Sequence, residues 1–272
     1  MIGSAIGRGV VALRDRIARA LVAAGVSPNT LTMMGVAFTA AAGVCLALGA
    51  GAPLGWSLAA GPLNAYQPNA YLLLAGVLMF FCAAGDMLDG AVARVGGKGT
   101  TFGAFLDSTL DRFSEFGVYL GIAFYFAVRG NVTYTLLPLV AVFAGLMISY
   151  TRARAEDLIR FCTVGFWQRG ERVVATMTAV FAYNVPILLW HQAILPMFTV
   201  WARIDYTRQV AAGKSPVTDP RESPRLLERL RLWRYPRRTL AHDVLALLNI
   251  VFLVLVRIPA DADPIAAVLG LH

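Results

Sequence analysis

The sequence predicts an all-α protein, a polytopic bundle of membrane helices, and three observations carry that expectation. Of its 272 residues, 58% are hydrophobic and 15% charged, and the mean hydropathy is +0.63. Such values belong to integral membrane proteins rather than to soluble domains. The apolar residues gather into long runs separated by short polar stretches. Lys and Arg concentrate in alternate polar stretches, as the positive-inside rule requires of a chain threaded back and forth through a bilayer.

Residues 1–28 form the first element. Ile6, Val10, Leu13, Ile17 and Leu21 recur at helical spacing, with Arg8, Asp15 and Arg19 on the opposite face. That pattern predicts an amphipathic helix lying in the membrane interface, its arginines reaching the headgroups; a cytosolic helix packed on the bundle is the alternative. Apolar spans follow at 30–48, 71–93, 103–128 and 134–151. The region 172–203 is long for one pass and short for two. Asn184-Val185-Pro186 predicts a break there, because Pro186 disfavours helix at the residue before it. A last span is expected at 240–256.

Charge decides between one pass and a hairpin. With a hairpin at 172–203, one side of the membrane holds 1–28, 94–102, 152–172 and 203–238, which carry 21 of the 24 Lys and Arg. The other side keeps Arg129 and Arg257, while Arg112 lies within the third span. A single pass would export the highly basic segment 203–238, against the rule. Seven helices are therefore expected, in the bacterial-type cytoplasmic membrane, with the N-terminus inside and the C-terminus outside. The boundaries read as 1–28 for the interfacial helix, 29–211 for the main transmembrane bundle, 212–239 for a basic cytoplasmic loop and 240–272 for an additional transmembrane helix and tail. Within the loop, 224–238 is basic and aromatic, suited either to the anionic leaflet or to a solvated connection.

The net charge of +8 does not point to nucleic acid, since no basic stripe accompanies a soluble recognition fold. Anionic membrane lipids and phosphorylated substrates are the partners expected instead. Cys45, Cys82 and Cys162 are scattered without metal-ligand spacing and read as small packing residues. His191 and His242 lack a Cys or carboxylate partner at metal spacing and read as interfacial polar residues. The N-terminus lacks the apolar core and cleavage site of a signal peptide, so insertion is expected to rely on internal spans.

Between Asp86 and Asp111 the chain reads D-M-L-D-G-A-V-A-R, eight further residues, then G-A-F-L-D-S-T-L-D. Four carboxylates thus sit near the ends of two apolar spans. Each costs roughly 2.5–3.5 kcal/mol to insert, so the four need compensation and mark function. Asp86 and Asp89 are three apart and Asp107 and Asp111 four apart, so each pair projects from one helix face. Two such faces opposed would make an all-oxygen cage for hard divalent cations, Mg²⁺ or Mn²⁺. Glu115, one turn beyond Asp111, extends the polar face or pairs with Arg112. By the charge topology all four aspartates lie in the cytoplasmic half of the membrane, within reach of a lipid from the side and of a soluble molecule from the cytosol.

The pattern D-x2-D-G-x2-A-R-x8-G-x3-D-x3-D resembles the signature of the CDP-alcohol phosphotransferase family, also called CDP-alcohol phosphatidyltransferases. Every position is filled, by Asp86, Asp89, Gly90, Ala93, Arg94, Gly103, Asp107 and Asp111. The likeness implies a six-helix family core, with the last helix here as an addition, and a homodimer. It implies an enzyme of phospholipid biosynthesis: a hydroxyl of an acceptor alcohol attacks the lipid-side phosphorus of CDP-diacylglycerol, and CMP leaves. It further implies two divalent ions held by Asp86, Asp89 and Asp107, with Asp111 as general base that also touches a metal. Gly90, Ala93 and Gly103 would let the nucleotide approach the backbone, although small residues also serve close helix packing. Arg94 suits a phosphate because its guanidinium offers paired donors; a topogenic charge is the plain alternative. The run V-S-P-N-T-L-T resembles another family motif and makes Asn29 and Thr32 candidate nucleotide contacts, while Ser27 or Asn29 would otherwise simply cap the helix.

Three further segments, around Ser149–Glu156, at Arg169–Arg172 and at Trp201–Arg203, resemble parts of bacterial phosphatidylinositol-phosphate synthases within that family. The likeness makes Arg152, Arg172 and Arg203 a pocket for the phosphate of a polyol phosphate, inositol phosphate foremost. The first position is more often Lys in that subgroup, and arginines gather at cytoplasmic helix ends in any case. Glycerol 3-phosphate, the acceptor of a phosphatidylglycerophosphate synthase, would suit the same arginines. Membrane prenyltransferases also hold Mg²⁺ on aspartates but lack the G-x2-A-R element. An alternative of another class is a divalent-cation transporter, which would need carboxylates along a conduction path; the outer halves of these spans carry almost none.

Overall fold

The protein is described by a computed structural model covering residues 2–49, 70–97, 99–213 and 239–270. Among the described residues the chain is helical, with no strand. The helices are α1 (Ile2–Ala23), α2 (Pro28–Gly49), α3 (Ala70–Val95), α4 (Thr101–Val128), α5 (Val132–Glu156), α6 (Arg169–Phe181), α7 (Val185–Ala211), α8 (Leu240–Leu255) and α9 (Pro264–Leu269). They fall into two compact units that divide within α4, after Gly121.

The first unit holds α1, α2, α3 and α4 up to Gly121. Pro28 opens α2, where its missing N–H costs nothing and its fixed φ suits the first turn. The Ser27 hydroxyl accepts from the Thr30 amide at 3.1 Å, which gives Ser27 the capping role. Gly97, at φ 61°, turns the chain out of α3. Thr100 then caps α4, its hydroxyl accepting from the Gly103 amide at 2.9 Å. Ala18 of α1 packs with Leu31, Ala91 and Val92, flanked by Leu21, Val22 and Leu88. Leu13 and Ile17 stay exposed, so the apolar stripe of α1 is shared between α3 and the outside. Farther along, a Cβ on Gly43 would lie 2.6 Å from the Gly117 carbonyl oxygen, and one on Gly121 would enter the Gly43 backbone. Here α2 and α4 pack backbone against backbone, which only glycines permit.

The second unit runs from Ile122 through α9. Its main core joins Ile148 of α5, Ala175 and Ala179 of α6, Ile187, Leu188 and Val200 of α7, and Leu253 of α8. The connection between α5 and α6 is buried without being helical. Gly165 there has φ 100° and presses on Thr199, whose hydroxyl accepts from the Trp167 amide at 3.0 Å. A smaller core of Ala155, Ile159, Cys162, Val164, Ala202 and Tyr206 seals the same segment.

The region 172–203 does break where Pro186 predicts. The helix ends at Phe181, Tyr183 takes φ 53°, and α7 begins at Val185. The arms are unequal, however. At 1.5 Å per residue the 13 residues of α6 reach about 20 Å, short of the ~30 Å hydrocarbon core. The 27 residues of α7 are ample. Among the described helices, α2, α3, α5 and α7 are long and apolar enough to cross a membrane. The 28 residues of α4 suffice in length but carry Asp107, Asp111, Arg112 and Glu115, and α8 has only 16 residues. Four of the expected spans therefore meet both criteria among the described residues. Many large apolar side chains remain exposed, among them Phe80, Phe81, Phe113, Phe143 and Phe198. Such a surface belongs in lipid rather than water. The protein is an integral membrane protein. Residues 214–238 of the stretch expected to be a basic loop, 224–238 included, lie outside the described residues.

The C-terminal segment is fastened at both ends of α8. Asn184, fully buried, donates to the carbonyls of Leu253 at 2.6 Å and Val256 at 2.7 Å. His191 shares a 3.0 Å hydrogen bond with Asn249 and meets Trp167 edge-on. His242 lies 3.4 Å from Glu171 and against the Phe166 ring. The two histidines expected at the membrane interface are instead enclosed where α8 docks. A helix cap then ties the tail to α5. The Asp263 carboxylate accepts from the amides of Val132 (2.6 Å), Thr133 (3.0 Å) and Ala266 (3.1 Å) and from the Thr133 hydroxyl.

Candidate active site

Three helix segments of the first unit bring the aspartate motif together. The opening turns of α2 supply Asn29 and Thr32. The C-terminal half of α3 supplies Asp86, Asp89, Gly90, Ala93 and Arg94. The first turns of α4 supply Gly103, Asp107 and Asp111. Thr32 donates to Asp89 at 3.1 Å, and the Gly90 amide donates to the other oxygen of the same carboxylate at 2.5 Å. Asp89 also feels the charges of Asp107 across the helix pair and of Asp86 one turn away.

Small residues sit where the elements approach. A Cβ on Gly103 would lie 3.5 Å from the Asn29 side-chain oxygen, which places the start of α4 against the start of α2. A Cβ on Gly90 would lie 3.7 Å from an Arg94 nitrogen, so Arg94 folds back along α3 over that glycine. Gly35 belongs to the same neighbourhood, 3.5 Å by the same measure from Asp86 Oδ1. Sequence reasoning missed it. The available sign was its position one helical turn after Thr32, on the same face of α2.

Asp89 and Asp111 are buried, yet the hydrogen-bond partners of Asp89 among the described residues are neutral. A buried carboxylate met by other carboxylates and by neutral donors suits a hard divalent cation, and the donor set is all oxygen. The fit is by chemistry and proximity rather than as a finished cage. Among the described residues, no three Asp, Glu, His or Cys side chains converge closely enough to share an ion. Helix periodicity fixes the face from which a carboxylate leaves its helix but not the rotamer that would bring its oxygens to a common point.

The three arginines are also brought together, within the second unit. Arg172 and Arg203 are almost fully buried, and Arg203 feels the charges of both Arg152 and Arg172. Arg203 donates to the carbonyls of Val164, at 3.2 Å, and Ile148. Arg152 donates to Glu156 at 3.0 Å. One arginine from each of α5, α6 and α7 is thus held in a common environment, with Arg203 also fastening the buried connection.

Residues 25–206, which contain both groups of side chains, match the family model of CDP-alcohol phosphatidyltransferases. The chain belongs to this family. As such it is a transferase, and α8 and α9 lie beyond the matched stretch. The phosphatidyltransferase is 34% identical over 191 residues to the archaetidylinositol phosphate synthase of Pyrococcus horikoshii, covering 70% of this chain and 88% of the relative. It is 30% identical over 204 residues to the phosphatidylinositol phosphate synthase of Mycobacteroides abscessus, covering 72% and 84%. Among solved structures it is similar to the Mycobacterium tuberculosis phosphatidylinositol phosphate synthase with CDP-DAG bound. That match has a TM-score of 0.58 at 27% identity and covers 71% of this chain and 92% of that one. The same enzyme in complex with manganese and citrate matches with a TM-score of 0.56 at 28% identity, covering 72% and 88%. The fold is therefore the helical membrane fold of that enzyme.

Proposed function

We propose that this transferase moves the phosphatidyl group of CDP-diacylglycerol to the hydroxyl of inositol phosphate and releases CMP. The observation that carries the proposal is the pair of side-chain groups described above. One is a carboxylate cluster at the junction of α2, α3 and α4, and the other is a trio of arginines from α5, α6 and α7. Relatives named for phosphatidylinositol phosphate and archaetidylinositol phosphate share the inositol phosphate head and differ in the lipid, which supports the acceptor more than the tails.

Asn29, Thr32 and the small surfaces of Gly90, Ala93 and Gly103 bind the cytidine nucleotide against helix ends, and Arg94 takes a phosphate oxygen as a paired donor. Arg152, Arg172 and Arg203 bind the dianionic phosphate of the acceptor and so orient its hydroxyl. Asp111 accepts the proton of that hydroxyl as its oxygen bonds to the lipid-side phosphorus; the bond from that phosphorus to the CMP oxygen breaks, and CMP leaves with the electron pair. Asp86, Asp89 and Asp107, with Asp111 at the edge, would hold divalent metal, Mg²⁺ or Mn²⁺, and two bound ions would neutralise the diphosphate and stabilise the leaving CMP. A manganese complex of a similar enzyme supports a divalent cofactor.

The aspartates face the cytoplasm in this reading, and the N-terminus lies on the same side, as the distribution of Lys and Arg supports. The exposed Leu13 and Ile17 of α1 suit it to the interface of that leaflet. Family likeness supports a homodimer.

Purified protein given CDP-diacylglycerol, Mg²⁺ and a panel of acceptors tests the reading through CMP release. Release with inositol phosphate and none with glycerol 3-phosphate or free inositol is the expected result. Release with glycerol 3-phosphate alone would transfer the assignment to phosphatidylglycerophosphate synthesis. No release with any acceptor, together with Mn²⁺ flux into liposomes, would replace the enzyme by a transporter.

A further inference from the structure

Arg172 lies at the start of α6, a helix of 13 residues that follows the buried, non-helical connection from α5. Gln168 at its N-cap makes no side-chain hydrogen bond to the helix. Two neighbouring helices hold this opening turn instead. The Arg172 carbonyl accepts from Gln192 Nε2 of α7 at 3.5 Å. Glu171 meets α8, with its Oε1 3.4 Å from His242 Nε2. The His242 ring is itself set against Phe166, with ring centroids 5.2 Å apart. Beyond the far end of α6, Asn184 donates to the carbonyls of Leu253 and Val256. α8 thus runs along α6 with a polar contact near each end.

Successive residues leave an α-helix about 100° apart. Glu171 therefore faces α8 while Arg172 turns elsewhere, almost fully buried and close enough for its charge to reach Arg203. Both side chains belong to one turn of one helix. A rotation of α6 about its axis that carried Arg172 away from Arg203 would also pull Glu171 off His242.

We infer that His242 is a positioning residue for the acceptor site. Its contact with Glu171 fixes the rotation of α6 and so holds Arg172 beside Arg203. His242 acts through the helix and touches no substrate. It comes from α8, outside the stretch 25–206 that the family model describes, so the added helix serves the reaction as a splint. The inference rests on the arginine pocket proposed above, and its test separates the two.

Steady-state CMP release by the full-length enzyme in detergent tests the role, with inositol phosphate and CDP-diacylglycerol varied in turn. His242→Phe keeps a ring against Phe166 and removes both nitrogens. It is expected to raise KM for inositol phosphate about fivefold, with KM for CDP-diacylglycerol and kcat near the wild-type values. His242→Gln returns an N–H group close to the place of Nε2 and should bring KM most of the way back. Glu171→Ala should match His242→Phe, and the double variant should exceed neither, because each removes the same contact. Leu253→Ala opens a cavity at the other end of α8; it is expected to lower Tm and leave both KM values in place. An unchanged KM for inositol phosphate in His242→Phe, additive rises in the double variant, or an equal rise in Leu253→Ala would overturn the inference and leave the arginine pocket standing. Should His242→Phe not fold, Glu171→Ala is read by the same two KM values, and no change in either overturns it as well. A wild type that releases CMP equally with free inositol and with inositol phosphate would overturn the pocket, and the inference with it.

Discussion

Thr32 on α2 donates a 3.1 Å hydrogen bond to Asp89 on α3, a contact between buried side chains 57 residues apart. It sets the orientation of one carboxylate of the candidate metal group from a neighbouring helix. Hydrogen bonds to charged groups contribute about 1.5–3 kcal/mol, and misaimed metal ligands typically cost 10–100-fold in affinity. Thr32→Val keeps the shape and removes the donor. The Mg²⁺ concentration that half-saturates CMP release is expected to rise about tenfold, with little change in Tm. Thr32→Ser should restore most of the loss.

The aspartates are expected to divide by role. Asp107→Asn should weaken Mn²⁺ binding, read by electron paramagnetic resonance, and lower turnover with it. Asp111→Asn should abolish turnover, by roughly 10²–10⁴-fold for loss of a general base, while CDP-diacylglycerol still binds. A near-normal rate in Asp111→Asn would remove it from the base role.

Arg172 and Arg203 are both buried, but Arg203 is also bonded to the Val164 and Ile148 carbonyls. Arg172→Gln is expected to raise KM for inositol phosphate at least about tenfold, the loss of one charge-assisted bond, with KM for CDP-diacylglycerol unchanged. Arg203→Gln should show the same rise and, in addition, a lower Tm, because the buried connection loses its anchor. Equal effects of both variants on the two substrates would argue against an acceptor pocket.

Burial of Asp263 opposes its ionisation, but the Thr133 hydroxyl and the amides of Ala266, Thr133 and Val132 outweigh it and hold the carboxyl at about 2 against an ordinary 3.8. A depressed folded pKa contributes stability that is fully present above the unfolded value and is lost as pH falls toward the folded one. The clasp between the tail and α5 is therefore expected to weaken between about pH 4 and pH 2. Asp263→Asn should lower Tm at pH 7 and flatten that acid limb of the stability profile, measured by circular dichroism in detergent.

Much of the candidate site is legible because it is local. Asp86, Asp89, Asp107 and Asp111 are spaced by helix turns, so their faces follow from periodicity alone, and Pro186 marks the break before α7. What escapes the sequence depends on contacts between distant segments. Gly35 reads as an ordinary span residue until α3 brings Asp86 beside it. The buried, non-helical course of the connection before α6 is hidden as well, because Val164 and Trp167 are held there by Arg203 and Thr199 of α7 rather than by any local pattern. His191 looks interfacial until Asn249, 58 residues later, supplies a buried partner. The Asp263 cap joins residues about 130 apart, which no local pattern announces.

The glycine contact of α2 with α4 limits how the carboxylate group can open. Gly43 meets Gly117 and Gly121 at backbone distance, farther along α4 than Asp111, and no side chain there can yield. The helix pair is pinned at that level like the rivet of a pair of scissors. A widening of the group about that rivet would part the free blades, with Asn29 and Gly103 travelling farthest and the deeper turns least.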